Sequence, residues 1–178
     1  MTDSLFDLRS QLRFYKFYHH NLVNVLIHSV FVPTILFTSI CMLHRVGLPF
    51  EFMGTPVTLA HLLGLGFGLF YIMLFIPTGL LASGIIAGAL YMLDKGKIEL
   101  GLKREFGVFV LAWIFQFIGH GVFEKKKPAL FDNLVQSLVL APYFILFELL
   151  FLLGMFPMLK NNLNADVAKM EQEARKKN

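Results

Sequence analysis

Six histidines carry the chemistry that this sequence can offer: His19, His20, His28, His44, His61 and His120. Imidazoles joined by a carboxylate or water, with coordination positions left open, suit Fe(II), Zn(II) or Mn(II). A set of two histidines and one carboxylate would point to non-haem iron and O₂ chemistry. At 3.6 residues per turn, His20, Asn24 and His28 fall on one stripe of a regular helix. His19 would then lie nearly opposite His28, and it joins the others only if the helix starts at about Asn21. Asn21 is suited to that start, because its side chain can cap the first free backbone N–H groups. His120 and Glu124 stand four residues apart, on one face near the end of a later apolar run.

What must position these residues is a membrane. The chain has 178 residues, of which 56% are hydrophobic and only 16% charged, with a mean hydropathy of +0.65. Soluble chains of this size cannot bury so much apolar surface in one core. The charges are gathered in the first twenty residues, around 94–105, at 124–132 and beyond Lys160. Between them the sequence predicts an all-α polytopic membrane protein with about five transmembrane or membrane-embedded helices. The expected segments are 21–43, 57–76, 79–93, 106–123 and 134–156. We expect one membrane domain over 1–178: an amphipathic segment (1–20), a helical membrane bundle (21–156) and a soluble tail (157–178). The stretch 44–56, with Gly47, Pro49, Gly54 and Pro56, reads as a turn region. The third segment, 79–93, falls short of the ~20 residues of a straight span, so a re-entrant element is the alternative there.

Five crossings would bring the start of the first span and the end of the fourth to one face. His19, His20 and His28 then join His120 and Glu124, while His44 and His61 belong to the other face as interfacial or structural groups. The grouping depends on the third segment crossing fully. His28 is deeper in an apolar run than a headgroup contact requires, and an ionisable group there is a functional candidate. Glu148, inside YFILFELLFLL, is a further candidate, with a structural role as its plainer reading. Asn24 and Gln116 could orient imidazoles or bind helices to one another. Phe14, Tyr15, Phe17 and Tyr18 read as an aromatic belt, or as a lining for an acyl chain.

Several classes are disfavoured. The net charge of +4 reflects the charged edges and shows no basic stripe interleaved with aromatics, so the expected partners are membrane lipids and not nucleic acid. The single cysteine, Cys41, allows no internal disulfide and no multi-cysteine metal site. No internal repeat supports a transporter. No apolar signal segment precedes the first span, which is expected to act as its own targeting signal. The basic residues divide almost evenly between the two sides, so the charge rule assigns no orientation. Oligomeric state is not legible.

Two long blocks carry a resemblance: FYKFYHHNLVNVLIHSVFVPTILF and WIFQFIGHGVFEKKKPALFDNLVQSLVLAPYFILFE. With FDLRSQLRFYKFYHH and CMLHRVGLP they resemble, over most of the length, the fungal 2-hydroxy fatty acid dioxygenases of the endoplasmic reticulum. The resemblance implies an Fe(II)-dependent α-oxidation. A 2-hydroxy fatty acid and O₂ would give the acid one carbon shorter and CO₂, in phytosphingosine and sphingolipid breakdown. The family pattern falls on Tyr18, His19, Asn21, Asn24 and His28, and again on Gln116, Gly119, His120, Glu124 and Pro128. It implies His19, His28 and His120 as iron ligands, Glu124 as a further catalytic residue, and His20 as a variable position. Leu22 departs from it, standing where a proline is usual. Lys125 to Lys127 or Arg13 could attract the substrate carboxylate. The rival readings are a non-catalytic lipid-binding or scaffold protein with structural histidines, and a desaturase or hydroxylase, whose HxxxH and HxxHH boxes do not occur here.

Overall fold

The structure, a computed structural model, describes residues 5–19, 21–124 and 136–177. Their order is α1 (Leu8–Tyr18), α2 (Leu22–His44), β1 (Gly47–Phe52), β2 (Thr55–Thr58), α3 (Leu59–Leu74), α4 (Ile76–Asp94) and α5 (Leu102–Ile118). A π-helical turn (Gly119–Glu124) continues α5, and a second one (Gln136–Leu140) leads into α6 (Ala141–Leu152), followed by α7 (Pro157–Lys177). The chain divides into two compact units, Met1–Ser29 with Gln116–Asn178, and Val30–Phe115.

The protein is all-α with membrane-embedded helices, apart from one small hairpin. Three helical segments are long and apolar enough to cross a membrane: Leu22–His44, Ile76–Asp94 and Leu102–Glu124. The third apolar segment gains length because its helix starts at Ile76, with Pro77 in the first turn, where a missing N–H costs nothing. The shorter one is instead α3, at 16 residues. The last expected apolar segment, 134–156, ends at a sharp bend. Leu138–Leu152 meets Pro157–Glu173 at 115°, through a break where Gly154 and Phe156 take φ of 79° and 52°. Counting that bent pair as one span gives up to four among the described residues.

Within Val30–Phe115, α3 and α4 form an antiparallel pair around Phe75. Small residues set its closeness. A Cβ on Gly64 would lie 2.9 Å from Leu90 Cδ1, one on Gly68 would lie 2.9 Å from Ser83 Oγ, and one on Gly79 would strike the backbone of Tyr71 and Ile72. The stretch expected as a turn region forms a β-hairpin, with Phe52 paired to Thr55. Its two-residue loop needs positive φ at both positions, and Met53 and Gly54 supply 51° and 77°. His44 and His61 both bond Asp94 through Nε2, at 2.8 and 3.3 Å. His61 Nδ1 also accepts from the Thr58 N–H at the start of α3. Glu105, almost fully buried, is held by both arms of the Arg45 guanidinium at 2.6 and 3.0 Å. A cavity of about 480 Å³ opens beside this pair, with Cys41, His44 and Glu99 among its walls.

In the other unit, the Asp7 carboxylate caps α1 by accepting from the Arg9 and Ser10 N–H groups. The amphipathic α1 buries Leu12 and Tyr15 and packs on α7, which buries Leu163 and Val167. Arg9 clasps Asp166 of α7 with two hydrogen bonds of 2.9 and 3.0 Å. The segment expected as a soluble, helical or frayed tail forms a helix, and one face of it packs on α1. α6 is apolar apart from Glu148 and buries Tyr143, Phe144 and Phe147 almost completely.

Candidate metal centre

Three short stretches of chain bring the candidate ligands together. α1 ends at Tyr18, and His19 follows it in a non-helical conformation, with φ −127° and ψ 82°. The chain then restarts as α2. Asn21 starts it, its Oδ1 accepting from the N–H groups of Val23 and Asn24 at 2.9 and 3.4 Å. Glu124 reaches this start from the π-helical turn. Its Oε2 accepts from the Asn21 N–H at 3.1 Å and from Asn24 Nδ2 at 3.0 Å. The same π-helical turn carries His120. Such turns are rare and concentrate at functional sites.

The ligand nitrogens of His19, His28 and His120 all lie within 4.8 Å of one another. Their ring centroids are 4.7 to 5.1 Å apart, and the ring planes stand at 67° to 88° to one another. His28 and His120 are buried. His28 Nε2 lies 3.0 Å from His120 Nε2.

Protonation follows from the partners. His28 Nδ1 lies 2.9 Å from the Asn24 carbonyl, and His19 Nδ1 lies 2.8 Å from the Tyr15 carbonyl. A carbonyl only accepts, so each Nδ1 carries the proton and each neutral ring keeps an Nε2 lone pair. Anchoring one ring nitrogen so that the other can bind a metal is the usual outer shell of a histidine ligand. The His120 Nδ1 is buried and has no hydrogen-bond partner among the described residues. Two imidazole lone pairs turned on one point repel unless a proton or a cation stands between them. The donor set therefore fits a divalent transition metal of the kind imidazole favours.

The remaining candidates take distinct places. Glu124 is not in the group of ligand atoms within 4.8 Å among the described residues; its Oε2 holds the start of α2. Asn24 is fully buried, and its Oδ1 packs against Gly119, where a Cβ would collide with it. Gln116 is buried on α5, one turn before His120, and its Nε2 has no partner among the described residues. Glu148 lies on α6, partly buried. His20, Lys125, Lys126, Lys127 and Pro128 lie outside the described residues. His44 and His61 belong to the Asp94 cluster and not to this group.

One residue beside the centre was legible only as part of an aromatic run. Tyr15 stacks on the His19 ring, centroids 4.1 Å apart and planes at 21°. Its hydroxyl is buried without a partner among the described residues. Burial, aided by the nearby Glu148 and Glu124 carboxylates, pushes the Tyr15 phenol above its ordinary value and keeps it protonated.

The comparisons with known proteins agree with one another. Residues 5–153 match the family model described as 2-hydroxy-palmitic acid dioxygenase Mpo1-like. The chain belongs to the Mpo1-like family. It is 54% identical over 175 residues to the 2-hydroxy-palmitic acid dioxygenase MPO1 of Saccharomyces cerevisiae, with 98% of each chain covered. No solved structure matches it. The Mpo1-like match spans both sequence blocks that carry the histidine trio.

Proposed function

We propose that this chain is an Fe(II)-dependent dioxygenase of the endoplasmic-reticulum membrane that shortens 2-hydroxy fatty acids by one carbon in phytosphingosine breakdown. The observation that carries the reading is the convergence of three imidazoles whose two anchored members present Nε2 lone pairs to one point. The yeast relative's description as a 2-hydroxy-palmitic acid dioxygenase supports the substrate class. The overall change balances as R–CHOH–COOH plus O₂ giving R–COOH, CO₂ and H₂O. The C1–C2 bond breaks, C1 leaves as CO₂, and C2 is oxidised from alcohol to acid.

His19, His28 and His120 would hold the iron, which when bound supplies the activation of O₂ and a point of attachment for the substrate's oxygens. The rest falls to the protein. The Tyr15 and Asn24 carbonyls fix the tautomers of His19 and His28. Glu124 ties the π-helical turn to the start of α2 and so keeps His120 beside His28. Buried apolar neighbours such as Phe144 exclude water from this region. Exposed apolar residues on the first turns of α2, Leu22 and Leu26 among them, face lipid. A substrate could thus keep its tail in the bilayer while its head reaches the histidines.

The test is to purify the full chain, measure bound iron, and follow O₂-dependent conversion of 2-hydroxypalmitate in wild type and His120→Ala. Wild type should hold close to one iron and release the acid one carbon shorter. His120→Ala should lose metal and at least a hundredfold in activity. Iron-loaded wild type that turns over no 2-hydroxy acid would sink the reading.

A further inference from the structure

Tyr15 is fixed to the metal centre twice. Its carbonyl accepts from His19 Nδ1 at 2.8 Å, and its ring stacks on the His19 ring at 4.1 Å. A third contact, with Phe144 of α6 at 4.8 Å and 42°, restrains the ring further. Those packing contacts ask only for an aromatic ring. Phenylalanine would meet them, and this chain uses it freely, at 20 positions. What tyrosine adds is the hydroxyl, which is buried without a partner among the described residues.

A buried O–H that finds no acceptor is costly to keep, and buried tyrosine hydroxyls usually find one. Such an orphan calls for an explanation, and a bound group is one. The two carboxylates that act on the phenol do not supply the acceptor. Glu124 Oε2 serves Asn21 and Asn24, and neither Glu124 nor Glu148 bonds the phenol oxygen. A phenol carries an O–H, so the group can donate. Gln116 Nε2 is a second buried donor without a partner among the described residues, on the turn before His120. Uncharged donors, one stacked on His19 and one on the turn before His120, suit an oxygen-rich, anionic head group.

We infer that the Tyr15 hydroxyl donates a hydrogen bond to an oxygen of the 2-hydroxycarboxylate head of the substrate. The inference rests on the dioxygenase reading, and its test separates the two.

Full-length protein in detergent, loaded with Fe(II) and kept free of O₂, is titrated with 2-hydroxypalmitate by calorimetry. Wild type and Tyr15→Phe are compared, and metal content is measured on the same samples. Tyr15→Phe should keep its iron and its fold, because the ring contacts stay. Its affinity should fall about tenfold or more, the loss expected for one hydrogen bond to a charged acceptor. On admission of O₂, KM should rise by a similar factor. Equal affinity in the two proteins would overturn the inference and leave the dioxygenase reading standing. So would a loss of affinity that only tracks a loss of iron, since Tyr15 would then act by supporting His19. Failure of iron-loaded wild type to bind 2-hydroxypalmitate would overturn both.

Discussion

At the residue scale, the centre is held by small things in contact. Gly119 is an example, since it lies against the Asn24 amide, which binds Glu124, which holds Asn21. Gly119→Ala would drive a methyl group into Asn24 Oδ1 and push that chain of contacts apart. We expect bound iron to fall about 10- to 100-fold in affinity, the range for outer-shell damage at a metal site, read by competition with a chelator. The histidines themselves are legible because polar residues in apolar runs stand out; capping chemistry leaves a helix start at Asn21 open, and the family pattern on His19 favours it. Tyr15 was not separable from Phe14, Phe17 and Tyr18 by type, because an orphan hydroxyl is a property of packing and not of order along the chain. Nor could sequence tell that Glu124 bonds a helix start, since one carboxylate serves a metal or an N–H group equally well.

At the element scale, the gap between α1 and α2 is what lets His19 face His28. A continuous helix would have turned the two rings apart. Asn21 maintains the gap by satisfying the first N–H groups of α2. Asn21→Ala should cost about 1 kcal/mol of stability, measured by denaturation in mixed micelles. Aspartate at the same position should restore most of it. The hairpin at Gly47–Thr58 shows where local reading stopped. Gly54 and the prolines signalled a turn, but pairing between β1 and β2 depends on which strand residues face one another, and the breakers obscured that. Likewise Pro77, which falls between the expected segments 57–76 and 79–93, lies in the first turn of α4, because proline there begins a helix as readily as it ends one. The last apolar segment is expected to end at 156, but the 115° bend there rests on positive φ at Gly154 and Phe156, which residue type alone does not reveal.

At the scale of the whole molecule, a metal that binds only the folded state adds its binding energy to stability. At an iron concentration about 100 times Kd, the gain is about 2.7 kcal/mol. Adding Fe(II) anaerobically should therefore raise Tm in wild type and leave His120→Ala unmoved, as followed by intrinsic fluorescence. Among the described residues the His44–Asp94–His61 cluster holds no such trio of close ligand atoms, so this double response isolates the centre. The membrane character of the fold was plain from composition, because 56% hydrophobic residues have no other place to go. The number of crossings was not, because it turns on a few residues at helix ends and on a bend.

Two of the three imidazoles are oriented by main-chain carbonyls four residues earlier, at Tyr15 and Asn24. A main-chain carbonyl is present whatever amino acid occupies the position. The proton placement that exposes these two lone pairs is thus set by main-chain acceptors, and substitution of the side chains at 15 and 24 leaves those acceptors in place.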